Sequence, residues 1–105
     1  MEEKNVKTRA GNFTIISNTF IRDNRLSFKA KGLLATMISL PDNWCYSVSG
    51  LETLSTDGKC SITSAIKELE EYGYLRRVKQ VRDENNKFVG IIYDISEFPR
   101  NDYFS

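Results

Sequence analysis

Between residues 59 and 87 the chain spaces two groups of side chains that can hold a phosphate. The first lies in KCSITSAIK, residues 59–67, where Lys59, Ser61, Thr63, Ser64 and Lys67 offer ammonium groups and short hydroxyl donors. The second lies in RRVKQVRDENNK, residues 76–87. There Arg76, Arg77, Lys79, Arg82 and Lys87 stand against Asp83 and Glu84 alone, a local net +3 in a chain whose total is +1. Cations neutralise an anionic backbone, and hydroxyls short enough to allow close approach bond to phosphates and base edges. The chemistry these residues point to is nucleic-acid binding. Hydroxyls also suit any solvated helix face, and basic residues on a strand deter edge-to-edge aggregation. The functional reading therefore needs both groups on one face.

Other chemistries lack their residues. The chain has no histidine and two cysteines, Cys45 and Cys60, so Cys/His zinc sites and histidine-activated nucleophiles cannot be built. The six glycines are scattered singly, which excludes a phosphate-cradling glycine loop. No carboxylate pair is isolated in an apolar setting. No catalytic residue, metal ligand or cofactor is expected, and the protein is read as a non-enzyme. Both cysteines are expected to be small buried hydrophobes of a reducing compartment. No apolar run approaches the roughly 18 residues of a membrane span, and MEEKNVKTRA has no apolar centre of a signal peptide, so a soluble, cytoplasmic protein without membrane partners is expected.

The 105 residues suffice for one domain. Residues 1–12 are polar without period and read as a loose arm, 13–98 as the domain, and 99–105 as a tail or the start of a linker to a further domain. FTIISNTFI, residues 13–21, is rich in β-branched and aromatic types and predicts a short N-terminal strand. Ser27 can cap a helix whose apolar residues Phe28, Leu33, Leu34, Met37, Ile38 and Leu40 keep largely to one face, and Pro41 ends it. Trp44 reads as a buried or half-buried anchor for that helix, and CYSV, residues 45–48, as a short strand. Ser49 and Glu52 form a capping box for a second helix over about 50–55. Gly58 offers positive φ for a tight turn. A third helix then opens at Lys59 or Ser61, with Ile62, Ala65, Ile66, Leu69 and Tyr72 on one stripe, and Gly73 stops it. Two strand-like runs, 74–83 and 87–95, flank the polar ENN and predict a β-hairpin in which Arg77 and Lys79 share an outer side and Val78 faces the core. Tyr46, Tyr72, Tyr74 and Tyr93 are expected between helices and sheet. The order predicts an α+β winged helix-turn-helix: a three-helix core, a C-terminal hairpin wing and a short N-terminal strand.

SVSGLETLSTDGKCSITSAIKELEEYGYLRRVKQVRDENNKFVGIIYDI, residues 47–95, resembles the N-terminal winged-helix domains of phage and plasmid replication initiators, the replisome-organiser and DnaD-like group. LSFKAKGLLATMISLP is similar to their leading helix. SAIKELEEYGYLRR is the most specific phrase, and it also occurs among winged-helix transcription regulators. The resemblance implies binding of double-stranded DNA, with helix 59–72 in the major groove and residues 76–87 along the backbone. Homo-oligomers and replication proteins are the further partners it implies. A transcription regulator would read DNA with the same parts. A self-assembly module is the alternative of another class, with FTIISNTFI and the C-terminal aromatics Phe98, Tyr103 and Phe104 as its sticky surfaces. Glu68, Glu70 and Glu71 would turn the end of the third helix away from DNA, Glu70 and Glu71 pairing with Lys67 or the arginines of the hairpin.

Overall fold

The computed structural model describes residues 5, 7 and 11–101. Most of the arm read over 1–12, and Tyr103 and Phe104 of the tail, lie outside the described residues. The elements are α1 (Asn18–Ile21), α2 (Phe28–Ser39), α3 (Val48–Glu52), α4 (Lys59–Glu71), β1 (Leu75–Arg82) and β2 (Phe88–Ile95).

The short N-terminal strand does not form. Residues 13–17 take no regular structure, and the chain turns into α1 at Ser17, whose hydroxyl accepts a bond from the Thr19 amide at 3.0 Å. Packing overrides β propensity here. As a turn of helix the segment drives Phe20 fully into the core, edge-on to Tyr74 with ring centroids 6.4 Å apart. The Ser17 amide also donates to the Glu97 carboxylate at 2.8 Å, which fixes the entry of α1 against the end of the chain.

Ser27 caps α2 as its sequence predicts, its hydroxyl accepting from the Ala30 amide at 3.1 Å. The Glu68 carboxylate of α4 accepts from the same hydroxyl at 2.9 Å and from the Ser27 amide, which ties the start of α2 to α4. Ala30, Leu34 and Met37 are buried at steps of four and three. Phe28 departs from that stripe: as the first helical residue it is 89% exposed, with the Lys31 ammonium over its ring. Leu40 is extended, the conformation a residue preceding proline favours, and α2 stops there. Trp44 is 40% exposed beside Ile38 and Leu40 in a shallow hollow, less buried than an anchor would be.

The cap of α3 is Ser47 instead of Ser49. Its hydroxyl accepts from the Gly50 amide at 3.0 Å, so the helix begins at Val48, and the Ser49–Glu52 capping box is not made. Gly58 has φ −88°, an extended conformation leading directly into α4, so the positive-φ turn expected there is absent. In α4 the predicted stripe Ile62, Ala65, Ile66 and Leu69 is buried. Gly73 stops the helix with φ +83°, and a Cβ there would lie 2.6 Å from the Arg100 carbonyl oxygen, so glycine is required both for its torsion and for the close approach of the C-terminal segment.

β1 and β2 pair antiparallel. Their connection is held by Asp83, whose carboxylate accepts from the Asn85 and Lys87 amides, both at 2.9 Å. The strand expected over 45–48 shrinks to one bridge: Tyr46 and Ile91 exchange backbone bonds of 2.8 and 2.6 Å on the edge of β2 away from β1. Tyr46 and Tyr74 are buried, Tyr72 and Tyr93 half-buried against the core, as their sequence context predicts. The Tyr46 hydroxyl donates to the Met37 carbonyl at 3.0 Å.

Tyr74 and Asp23 join the hairpin to the loop after α1. The Tyr74 hydroxyl donates to Asp23 at 2.7 Å, and the Arg25 guanidinium donates to both Asp23 oxygens at 3.0 and 2.8 Å. Those arginine bonds, with the phenol's, hold the Asp23 carboxyl well below the usual carboxylate range. Burial, reinforced by the bond to Asp23, pushes the Tyr74 phenol up to about 12. An unfolded tyrosine titrates near pH 10, so the folded state keeps the proton longer and this contribution is complete below pH 10. It is lost as pH rises from 10 to 12. Wild-type stability should therefore fall about 2 kcal/mol more than that of Tyr74→Phe across this window, measured by urea denaturation. Parallel curves would show that the phenol is not held this way.

Candidate nucleic-acid interface

With Ile62, Ala65, Ile66 and Leu69 turned inward, the opposite side of α4 carries Cys60, Ser64 and Lys67 at steps of four and three. These three line one shallow exposed hollow with Lys59 and Thr63. Ser61 is not among them. It is half-buried and sits on the flank of Glu68, toward α2. Cys60 corrects the expectation of two buried cysteines: it is exposed in the centre of this surface, while Cys45 is half-buried. Its position four residues before Ser64 was the signal, outweighed by the general habit of free cysteine to be buried. No side chain caps α4, so its leading N–H groups remain available to an anion's oxygens.

The hairpin sorts its cations by register. Arg77 pairs with Tyr93 and Lys79 with Ile92, which leaves Val78 as an extra residue in β1. Val78 is 50% exposed, so it does not face the core. Tyr93 and Ile92 are consecutive, and consecutive strand residues project to opposite faces. Arg77 and Lys79 are thus separated by the bulge instead of sharing a side. Arg77 lines a cleft between α4 and the sheet together with Lys59, Thr63 and Lys67. Arg76 stands opposite Asp94 and forms an ion pair with it, and Lys79 lies on that same far face. Arg82 is opposite Phe88, which lines the cleft. Its guanidinium donates to the Asn86 carbonyl and the Gln80 side-chain oxygen, each at 3.2 Å. Lys87 is exposed in the connection.

Helices α2, α3 and α4, the last two joined by a short link and followed by a hairpin with a third strand reduced to a bridge, define the architecture. Residues 24–75, from the loop before α2 through the first residue of β1, match the family model of a helix-turn-helix domain. The fold is a winged helix-turn-helix. No curated protein and no solved structure gives a significant match to the chain.

In this fold α4 takes the position of the recognition helix and the hairpin that of the wing. Of the carboxylates near the basic face, Glu52 lines the cleft itself and opposes its cations, whereas the others are engaged elsewhere or set to one side. Glu68 bonds to Ser27, Asp83 to backbone amides of the wing turn, and Glu70 accepts from Arg77 at 3.3 Å, the helix-to-wing pairing its sequence predicts. Glu71 continues the outward stripe of the recognition helix at its far end, so the basic surface covers its first two turns. Burial raises the Tyr93 phenol, and the neighbouring Arg77 works against that rise. Tyr93 remains a neutral floor beneath Arg77, edge-on to Tyr46 at 6.0 Å. Among the described residues no three Cys, Asp or Glu side chains gather as a metal site, and no helix is long and apolar enough to cross a membrane.

Proposed function

We propose that this domain binds double-stranded DNA without catalysis, as the DNA-binding part of a phage or plasmid replication initiator or replisome organiser in the cytoplasm. The observation that carries the DNA reading is the gathering of Lys59, Thr63, Lys67 and Arg77 on the walls of one open cleft, with Ser64 beside them on the recognition helix. Short side chains at Cys60, Thr63 and Ser64 allow the first turns of that helix to enter a major groove, where its free N–H groups meet phosphate oxygens. The wing then runs along the neighbouring backbone, with Arg82 and Lys87 toward its tip. The replication role is supported by the sequence resemblance of residues 47–95. A transcription regulator would use the same surface.

Self-assembly has separate support. Phe13, Ile15, Phe28 and Phe98 are 57–89% exposed, and none of them lines the cleft. A homo-oligomer built on them would leave the basic face clear. Labelled mixed-sequence duplexes titrated at about 50 mM salt should bind with dissociation constants on the order of 1 to 100 micromolar, the range of non-specific contact. A folded sample that binds none of them would leave the self-assembly module as the reading.

A further inference from the structure

Away from the basic cleft, α2 and the link between α3 and α4 (residues 53–58) border a second hollow, of about 260 Å³. Phe28, Lys29 and Gly32 of α2 line one side, Leu54 and Asp57 of the link another, and the buried Ile62 and Ala65 of α4 lie at its floor. Phe28, at 89%, is the most exposed large apolar side chain among the described residues, and Leu54 is 44% exposed. Gly32 lies within α2, where glycine weakens a helix, yet a Cβ there would meet nothing within 4 Å. No contact inside the chain requires that glycine; its bare backbone leaves room for a side chain from outside. Lys29 and Asp57 carry opposite charges, and neither forms an ion pair with a described residue. With one cation and one anion, the hollow has no net attraction for a polyanion. It does carry both halves of every contact it needs, a protruding ring and a hollow, a cation and an anion, which is the condition for pairing with its own copy about a two-fold axis. A cavity of roughly 150 Å³ already holds a benzene ring, so the space suffices for a phenylalanine.

We propose that this hollow is the contact of a two-fold homodimer, in which Phe28 of each copy enters the other's hollow over Gly32 and Lys29 of each meets Asp57 of the other. The axis lays the α2 side of one copy over the link of its partner, so both exchanges occur twice. An aromatic side chain buries roughly 150 to 250 Å². Two of them supply only part of the about 1,200 Å² of a stable interface, so the dimer is a reversible one. Of the residues lining the hollow only Leu51, itself buried, also lines the basic cleft, and both basic faces stay clear.

Sedimentation velocity of the wild-type domain at roughly 1 to 300 micromolar should show a monomer–dimer equilibrium with a midpoint on the order of 10 micromolar. Phe28→Ala should weaken the dimer at least about thirtyfold, the loss that truncating a central aromatic brings. Lys29→Glu and Asp57→Lys, each alone, set two like-charge contacts into the dimer and should weaken it about tenfold. Mixed in equal amounts, the two charge variants regain both opposite-charge contacts across the axis, and their heterodimer should return to about wild-type affinity. Circular dichroism reports folding. If Phe28→Ala loses helix, the charge variants, which remove no apolar side chain, are read in its place. A wild-type domain that stays monomeric over the whole range overturns the dimer. A folded Phe28→Ala that dimerises like wild type, or a mixture no tighter than either charge variant alone, overturns this contact and moves self-association to Phe13, Ile15 and Phe98. None of these outcomes depends on duplex binding, so the dimer and the DNA-binding reading fail separately.

Discussion

Phe20→Ala should destabilise the domain by about 3 to 5 kcal/mol, a large share of the roughly 5 to 15 that a domain possesses. Phe20 is fully buried and packs edge-on against Tyr74, itself fully buried. The void left by its ring cannot close easily. α1 is fastened at one end by the Ser17–Glu97 bond and at the other by Asp23, which holds Tyr74 and Arg25. Ile15→Ala, five residues earlier and 80% exposed, should change stability by no more than about 0.5 kcal/mol. Urea denaturation of the two variants checks this. Equal small losses would place the whole of residues 13–21 on the surface, as a solvent-facing strand would be.

Those nine residues show where sequence pattern ends. Their β-branched and aromatic content favours a strand, but nothing within the stretch says that Phe20 has a pocket waiting beside Tyr74 while residues 13–17 have no strand to pair with. The third helix was legible for the opposite reason: Ile62, Ala65, Ile66 and Leu69 repeat with the helical period, and Gly73 marks its end. Helix starts were half legible. Ser27 stood alone as a cap, whereas Ser47 and Ser49 both lay within a turn of α3, and only the amide position at Gly50 decides between them. On the wing, alternation is a sound rule until one residue is inserted. Val78 and Val89 each shift the register by one, and composition carries no mark of a bulge. Alternation alone puts Arg77 and Lys79 on one face, and the bulge gives them two. Cys60 was legible by position and missed by type.

Replacing Lys59, Lys67 and Arg77 together with alanine should lower DNA affinity at low salt on the order of a hundredfold and make the log–log salt slope shallower by about two to three. The three come from both ends of the basic stretch of α4 and from β1, yet line one cleft. Arg77 keeps guanidinium donors beyond the single one given to Glu70, so the ion pair that holds it against the helix leaves it able to bind a phosphate. Arg76 and Lys79, equally basic and adjacent in sequence, lie on the far face of the sheet, Arg76 paired with Asp94. The measurement that bears most directly on the face assignment is the salt dependence of duplex binding for these two sets side by side. The account predicts a slope reduced by about two to three for Lys59, Lys67 and Arg77, and by less than about one half for Arg76 and Lys79. Equal reductions, or a larger one for Arg76 and Lys79, would contradict it.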